Sequence, residues 1–360
     1  MKAVVLVGGK GTRLRPLTCN RPKPIVPVLN RPLLQHTLRY LGGHGIETVV
    51  LAMNYMPDEV RETMGDGSRF GVKLEYVIER EPMGTSGGVR NAEHFLDEAF
   101  YVLNGDILTR IDLTEMMRRH RRARPAVSIA LVPVEDPTIY GVAETDRTGM
   151  VTRFVEKPRR DQATSNLINA GIYIMEPRVL KYIPKGTASM FEDLVFPGLL
   201  EAKEPVLGYP SDAYWIDIGT PEKYLKLNHD LIKERGNQVF LEGESHIAPG
   251  ARLVPPVLIG PGCTIGNGAN INGPVVIGPG CHVAENATLA GSVLWDKVSV
   301  GHGTTLKSSL AASNCRIAED CYLEDCVLGE GVMVERSNRE WGARIPSACI
   351  VPRRDNQALT

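Results

Sequence analysis

Residues 247–289 read IAPGARLVPPVLIGPGCTIGNGANINGPVVIGPGCHVAENATL, and a large aliphatic side chain returns there at every sixth position: Ile247, Leu253, Ile259, Ile265, Ile271, Ile277, Val283 and Leu289. Two residues ahead of these stand compact side chains, among them Ala251, Val257, Cys263, Ala269, Val275, Cys281 and Ala287. A helix repeats every ~3.6 residues and a half-buried strand every second one, so neither produces a period of six. A β-helix does, because its coils stack their inward side chains into ladders. Glycine follows the aliphatic at Gly260, Gly266, Gly278, Gly301 and Gly329, where a chain turning a corner gains from having no Cβ. Trp295 is expected in the next inward slot, with short insertions looping out around 295–300 and near 310. From about Arg336 to Thr360 the repeat fades, which predicts a cap and a loose tail. The open strand edges at the ends of such a solenoid predict a homo-oligomer.

Upstream the pattern changes. Lys2 to Val7, Thr48 to Ala52, Val72 to Ile78, Phe100 to Leu103 and Val127 to Val132 read as strands, and helical periodicity lies between them at Pro32–Leu41, Pro57–Met64, Ser86–Leu96 and Leu113–Arg122. This alternation predicts an α/β, Rossmann-like, mainly parallel sheet with helices on both faces. Ligands of such sheets bind beyond the carboxyl ends of the strands. The division expected is residues 1–238 for the α/β domain and 239–360 for a left-handed β-helix of hexapeptide repeats with its tail.

The composition narrows the partners. A net charge of -1 gives no general attraction for nucleic acid or an anionic membrane, so any anionic ligand must be held locally. The apolar run Ala3–Val7 stops at Gly8-Gly9-Lys10 and is too short for a signal peptide, and no apolar run approaches the ~20 residues of a membrane span. A cytoplasmic location is expected. The seven cysteines include no Cys-x-x-Cys pair, and Cys263, Cys281, Cys315, Cys321 and Cys326 fall in the repeat region, so they read as packing residues. The run Arg118-Arg119-His120-Arg121-Arg122 follows Asp112 and Glu115, which mark a helix start. It therefore reads as the solvated last turns of that helix and not as a nucleic-acid patch.

Beyond the first strand comes Gly8-Gly9-Lys10-Gly11-Thr12-Arg13, a place where backbone N–H groups can approach phosphates. It is neither a Walker loop nor a dinucleotide fingerprint, and alone it is as readily a tight turn. Its continuation, Arg13-Leu14-Arg15-Pro16-Leu17-Thr18 and Pro22-Lys23-Pro24, holds Lys23 between two prolines in what reads as a stiff extended loop. Further stations follow in order: Glu81-Pro82-x-Gly84-Thr85, Leu103-Asn104-Gly105-Asp106, Tyr140-Gly141, Phe154-Val155-Glu156-Lys157-Pro158, Asn169-Ala170-Gly171 and Trp215-x-Asp217-Ile218-Gly219. In these motifs and over nearly its whole length the chain resembles the nucleotide-sugar pyrophosphorylases, or sugar-phosphate nucleotidyltransferases, and within them the mannose-1-phosphate guanylyltransferases, which also carry a C-terminal hexapeptide β-helix. The resemblance implies a nucleoside triphosphate and a sugar 1-phosphate as substrates. It implies that Arg13 and Lys23 hold the triphosphate and that Asp106 and Asp217 bind Mg2+, these four being catalytic. Leu6, Gly8, Gly9, Gly11, Thr12, Gly84 and Thr85 would line the nucleotide. Lys157 would hold the sugar phosphate, with Gly141, Glu156 and Asn169 about the sugar.

The chemistry asks for that inventory. A phosphate monoester, with its second pKa near ~6, is already an ionised nucleophile, so a transfer between phosphates needs positioning and charge neutralisation more than a base. Asp106 and Asp217 each lie near the end of an expected strand, although a turn aspartate and a residue ahead of the helix start Thr220-Pro221-Glu222 are the plain alternatives. GDP-mannose is the product expected. Glucose 1-phosphate with UTP or dTTP is the alternative within the class, and a bifunctional acetyltransferase and a non-catalytic sensor are the alternatives outside it. His246, His282 and His302 lie in no acyltransferase motif, and Arg13, Lys23, Asp106, Lys157 and Asp217 are all retained, which speaks against those two.

Overall fold

Val4, Val50 and Val102 have no solvent exposure at all, because the strands that carry them are covered on both faces. β1 (Lys2–Leu6) lies between β2 (Thr48–Met53) and β4 (Phe100–Asn104), with β3 (Lys73–Ile78) outside β2, and all these pairings are parallel. Beyond β4 the direction reverses: β9 (Leu167–Met175) runs antiparallel to β4 and to β6 (Val127–Pro133). The hairpin β7 (Gly141–Thr145) and β8 (Val151–Glu156) joins at β9, and β10 (Val206–Pro210) lies parallel to β6. A separate two-stranded ribbon is made by β5 (Ile107–Thr109) and β11 (Trp215–Asp217). The parallel character thus belongs to the first hundred residues, and β9 turns the rest of the sheet mixed. Connecting helices are α1 (Leu33–Gly43), α2 (Pro57–Met64), α3 (Gly84–Asn91), α4 (Leu113–Ala123) and α5 (Phe196–Glu201). The periodicity at Ser86–Leu96 resolves into the end of α3 and a single 3-10 turn, Glu93–Phe95.

The computed structural model describes residues 1–353, in two compact units: Met1–Gly9 with Leu34–Asp217, and Lys10–Leu33 with the chain from Ile218 onward. In the second unit α6 (Pro221–Glu234) starts at Thr220, whose hydroxyl accepts from the Lys223 N–H at 3.4 Å. A left-handed β-helix follows, three parallel sheets with seven, seven and six strands among the described residues. Its ladders are the ones expected. Ile247, Ile265, Val283 and Val300 stack in one, and Leu253, Ile271, Leu289, Leu306 and Leu323 in another. Both are almost wholly buried from Ile265 and Ile271 onward.

Two expectations about this ladder are corrected. Leu294, not Trp295, fills the slot above Ile277, and the spacing between stacked residues falls from eighteen to seventeen there and stays at seventeen. One side of the coil has lost a residue, so nothing loops out; the step from Leu289 to Leu294 is five, as are those from Leu306 to Ala311 and from Leu323 to Leu328. The repeat also continues past Arg336, with Glu340, Ile345 and Val351 in the inward registers of Leu323, Leu328 and Val334. The remainder of the expected tail, 354–360, lies outside the described residues. All seven cysteines are thiols; of the six in the solenoid, Cys263, Cys281, Cys315, Cys321 and Cys326 are buried and Cys349 is half-buried.

The arginine run sits at the end of α4, which Asp112 caps by accepting from the Glu115 N–H at 3.0 Å. Arg118 and Arg119 both turn back to Glu115, at 2.6 and 2.9 Å. Its His120 is different: fully buried, with Nδ1 2.8 Å from the Ser128 hydroxyl and Nε2 3.2 Å from Glu176. Burial holds its pKa below the ordinary histidine value; Glu176 pulls the other way, and Arg121 and Arg178 add to the depression. The unfolded chain therefore takes up this proton first as pH falls below ~6.5, so the stability His120 contributes is present above that pH and is lost toward acid. Replacing it with Gln, which keeps a donor and an acceptor, is expected to flatten the fall of the urea midpoint between about pH 7 and about pH 5. Burial also lowers the pKa of His44 and His229, so the slope decreases without vanishing. A slope equal to the parent's would exclude His120 as a contributor.

Candidate active site

Parallel strands end on one side of their sheet, and the chain puts its polar residues there. Gly8 lies two residues past β1, Asn54 follows β2, Glu79 follows β3, and β4 ends on Asn104 with Gly105-Asp106 next. A Cβ on Gly105 would lie 2.4 Å from Val7 Cγ1, so only glycine lets this turn close against β1, where its N–H donates to the Leu6 carbonyl at 2.9 Å. The turn delivers Asp106 to the head of the β5–β11 ribbon. There Asp217 is the register partner of Ile107, the next residue after Asp106, so the two carboxylates occupy one end of one ribbon, both half-buried.

Aromatic side chains fix that end. The Tyr140 hydroxyl donates to Asp217 Oδ1 at 2.8 Å, its ring meets Trp215 edge-on at 5.7 Å, and the Trp215 indole N–H donates to the Ala170 carbonyl at 2.9 Å. The Tyr140 carbonyl accepts from the Lys157 N–H at 3.0 Å, and Lys157, at a φ of 44°, leaves the strand with its exposed ammonium 3.3 Å from Glu156. Glu156 is the register partner of Gly141, where a Cβ would come within 2.8 Å of its carboxylate. Asn169 closes the other side. Its Oδ1 accepts from the Gly171 N–H at 2.9 Å, and its Nδ2 lies 2.8 Å from the Tyr173 hydroxyl and 3.3 Å from Glu192. Thr85 reaches the same Glu192 at 3.5 Å and accepts from the Phe191 N–H. Beside it, Gly84 packs so that a Cβ would lie 2.4 Å from the Ser189 carbonyl oxygen.

The first unit thus brings together Asp106, Asp217, Gly141, Glu156, Lys157, Asn169, Gly84 and Thr85, and it carries Leu6, Gly8 and Gly9 at the end of β1. The second unit carries Gly11, Thr12, Arg13 and Lys23. In that segment Gly11 adopts a left-handed φ of 61° and accepts a 2.7 Å hydrogen bond from the buried Thr18 hydroxyl. Thr12 and Arg13 lie in an exposed 3-10 turn, Thr12–Leu14. Lys23 is not in an extended loop. It opens a 3-10 turn, Lys23–Ile25, and is only 8% exposed, an unusual burial for lysine.

Two residues at the site have no role in the sequence motifs. Glu79, 7% exposed, accepts from the Met83 N–H at 3.0 Å and lies close to both Gly8 and Gly88; burial raises its pKa. Its position at the carboxyl end of β3 was a usable signal. Glu192 stands on a π-helical turn, Phe191–Val195, and its pKa is raised by burial and then by Glu156 and Asp193. Nothing local in Phe191-Glu192-Asp193 announces it, although π-turns gather at functional sites.

The donor set can be tested against a divalent cation. Among the described residues no group of three or more His, Cys, Asp or Glu side chains could hold a metal. A magnesium ion needs no such group, since it takes one or two carboxylates and completes its shell with substrate phosphates and water. Asp106 and Asp217 fit that requirement.

The family model described as nucleotidyl transferase matches residues 2–234, and one described as the EIF2B subunit epsilon LbH domain matches 236–339. A mannose-1-phosphate guanylyltransferase of Mycobacterium tuberculosis is 40% identical over 276 residues, covering 73% of this chain and 76% of that protein. A mannose-1-phosphate guanyltransferase of Eremothecium gossypii is 38% identical over 347 residues, 93% of this chain and 92% of its own length. A UTP–glucose-1-phosphate uridylyltransferase of Synechocystis is 33% identical, covering 74% and 80%. Among the described residues no helix is long and apolar enough to cross a membrane.

Proposed function

The chain belongs to the nucleotidyl transferase family, and from that premise we propose that it forms GDP-mannose and pyrophosphate from GTP and mannose 1-phosphate. The observation that carries the choice of substrates is the likeness to a guanyltransferase from end to end, solenoid included. In the reaction an oxygen of mannose 1-phosphate bonds to the α-phosphorus of GTP as the bond from that phosphorus to the bridging oxygen breaks, and pyrophosphate leaves in line. No proton has to be taken from the nucleophile.

Each side chain then has a task set by charge. Arg13 and Lys23 hold the triphosphate and take up charge that moves toward the leaving pyrophosphate. Leu6, Gly8, Gly9, Gly11 and Thr12 with Gly84 and Thr85 line the nucleotide. Lys157, exposed and turned out of its strand, meets the phosphate of mannose 1-phosphate, while Gly141, Glu156 and Asn169 face the sugar hydroxyls. Asp106 and Asp217 would hold magnesium, which when bound neutralises phosphate charge at the reacting centre. Tyr140 orients Asp217 through its 2.8 Å hydrogen bond. In this reading residues 1–238 and 239–360 are a catalytic and a supporting domain. A role in the cytoplasm is part of the same reading; the near-neutral net charge supports a protein without nucleic-acid or membrane partners, and the solenoid's open strand edges support a homo-oligomer.

The test is a matrix of GTP, ATP, UTP, CTP and dTTP against mannose, glucose and glucosamine 1-phosphates, read by pyrophosphate release with magnesium present. GTP with mannose 1-phosphate is expected to give the highest kcat/KM. A best rate for UTP or dTTP with glucose 1-phosphate would overturn the substrates and leave the reaction standing. Silence with every pair would overturn both.

A further inference from the structure

The segment Lys10–Leu33 carries Arg13 and Lys23, yet the groups that hold it come from α6 and the solenoid, within one compact unit. The Arg21 guanidinium lies over the Trp295 ring, 5.0 Å from its centroid, donates to the Ser313 hydroxyl at 3.2 Å and stands 3.9 Å from Asp296. The Trp295 indole N–H donates to the Tyr224 hydroxyl at 2.9 Å, and that hydroxyl donates to the Pro27 carbonyl. Asn228 on α6 accepts from the Leu29 N–H at 3.0 Å. Asn30 donates to Glu242 at 3.0 Å and to the Ile277 carbonyl at 3.1 Å, and Arg31 pairs with Glu242 at 3.3 Å. Trp295, Tyr224, Asn228 and Ser313 are buried, so the Trp295–Tyr224–Pro27 and Asn228–Leu29 contacts are shielded from water, whereas Arg21 and Asp296 are partly exposed and Arg31 is exposed.

This is more than a domain needs for adhesion. The contacts grip the segment on both sides of Lys23, at Arg21 and at Pro27 to Arg31, and Trp295 is available for the task because Leu294 has taken the inward slot. We infer that Trp295, with its neighbours Asp296 and Ser313, is a positioning site of the solenoid that sets Lys23 for the triphosphate through Arg21. The inference rests on the triphosphate reading of Lys23. A preset lysine binds a phosphate without first having to order its own loop, so loosening the grip weakens binding of the nucleotide and spares the sugar phosphate.

The full-length enzyme is assayed with GTP and mannose 1-phosphate each varied in turn. Arg21→Ala and Trp295→Leu are each expected to raise the KM for GTP about tenfold, with the KM for mannose 1-phosphate changed by less than about twofold. Arg21→Lys, which keeps the cation, is expected to recover most of the loss, and Trp295→Phe part of it. The double variant Arg21→Ala with Trp295→Leu is expected to be no worse than the poorer single one, since the two residues act through one contact. Unchanged KM values beside a lowered melting temperature would overturn the inference and leave a mere brace, as would equal rises in both KM values. Should Trp295→Leu fail to fold, Arg21→Ala and Arg21→Lys decide alone. Lys23→Ala run in parallel separates the two levels. If it raises the KM for GTP and the Arg21 variants do not, positioning is wrong and the triphosphate reading stands. If Lys23→Ala leaves that KM unchanged, the reading itself is wrong and positioning falls with it.

Discussion

Asp106→Asn or Asp217→Asn alone is expected to lower turnover by about a hundredfold or more, while circular dichroism shows an intact fold. The two carboxylates stand at one end of the β5–β11 ribbon, and Asn keeps the shape and the hydrogen-bonding oxygen, including the one that accepts from Tyr140. What Asn removes is negative charge, the property that holding a divalent cation between phosphates requires. The double variant is expected to be scarcely slower than either single one, because the second loss falls on a site that has already failed. Turnover measured across a magnesium titration is expected to show partial rescue of the single variants. Near-normal activity in either, or losses that multiply, would mean that the two do not share one ion.

Ile271→Asp is expected to have the largest effect on stability. Ile271 has no solvent exposure and is stacked between Leu253 and Leu289, so a carboxylate there must be buried without a partner, take up a proton or open the coil. A cost of about 3–5 kcal/mol follows, enough to lower the melting temperature by roughly 10 °C or to abolish the soluble yield. His282→Asp, at an exposed outward position of a neighbouring sheet, is the control and is expected to cost little. If the two variants melt together, the inward assignment of the ladder is wrong.

The solenoid was legible because its ladder is written locally: each coil repeats the demands of the one before. The count failed where the geometry changed, and again past Arg336, where Glu340 takes an inward register that a search for aliphatics passes over. A strict period of six points to Trp295, whereas a side shortened to five puts Leu294 inward; both are large and apolar, so composition could not arbitrate. The main strands and helices up to Val132 followed from periodicity, but β7, β9, β10 and α5 beyond it did not, and the antiparallel run of β9 is set by partners far away in sequence. The same holds for the site. Asp106, Gly141, Lys157 and Asn169 sit in motifs and could be named in advance. Glu79 had a signal in its place at the carboxyl end of β3, whereas Glu192 could not be named, because what marks it is burial, and burial arises from the packing of distant segments. The glycine-rich stretch is continuous in sequence, yet Gly9 and Lys10 fall in different compact units, a division that no local pattern announces.

The grip on the segment before α1 also has a consequence in time. Arg21 and Ser313 are separated by 292 residues, so at a synthesis rate of roughly 5–20 residues per second the partner of Arg21 is made some 15–60 s after it. The segment that carries Arg13 and Lys23 is made well before the residues of α6 and the solenoid that hold it. A nascent chain can already have paired β1, β2, β3 and β4, whose partners all lie within its first hundred or so residues, while Lys23 still lacks its frame. Chains cut short before the coil of Ser313 would therefore carry a finished central sheet and a lysine whose frame is incomplete, and on the inference above they would bind nucleotide more weakly until the solenoid is finished.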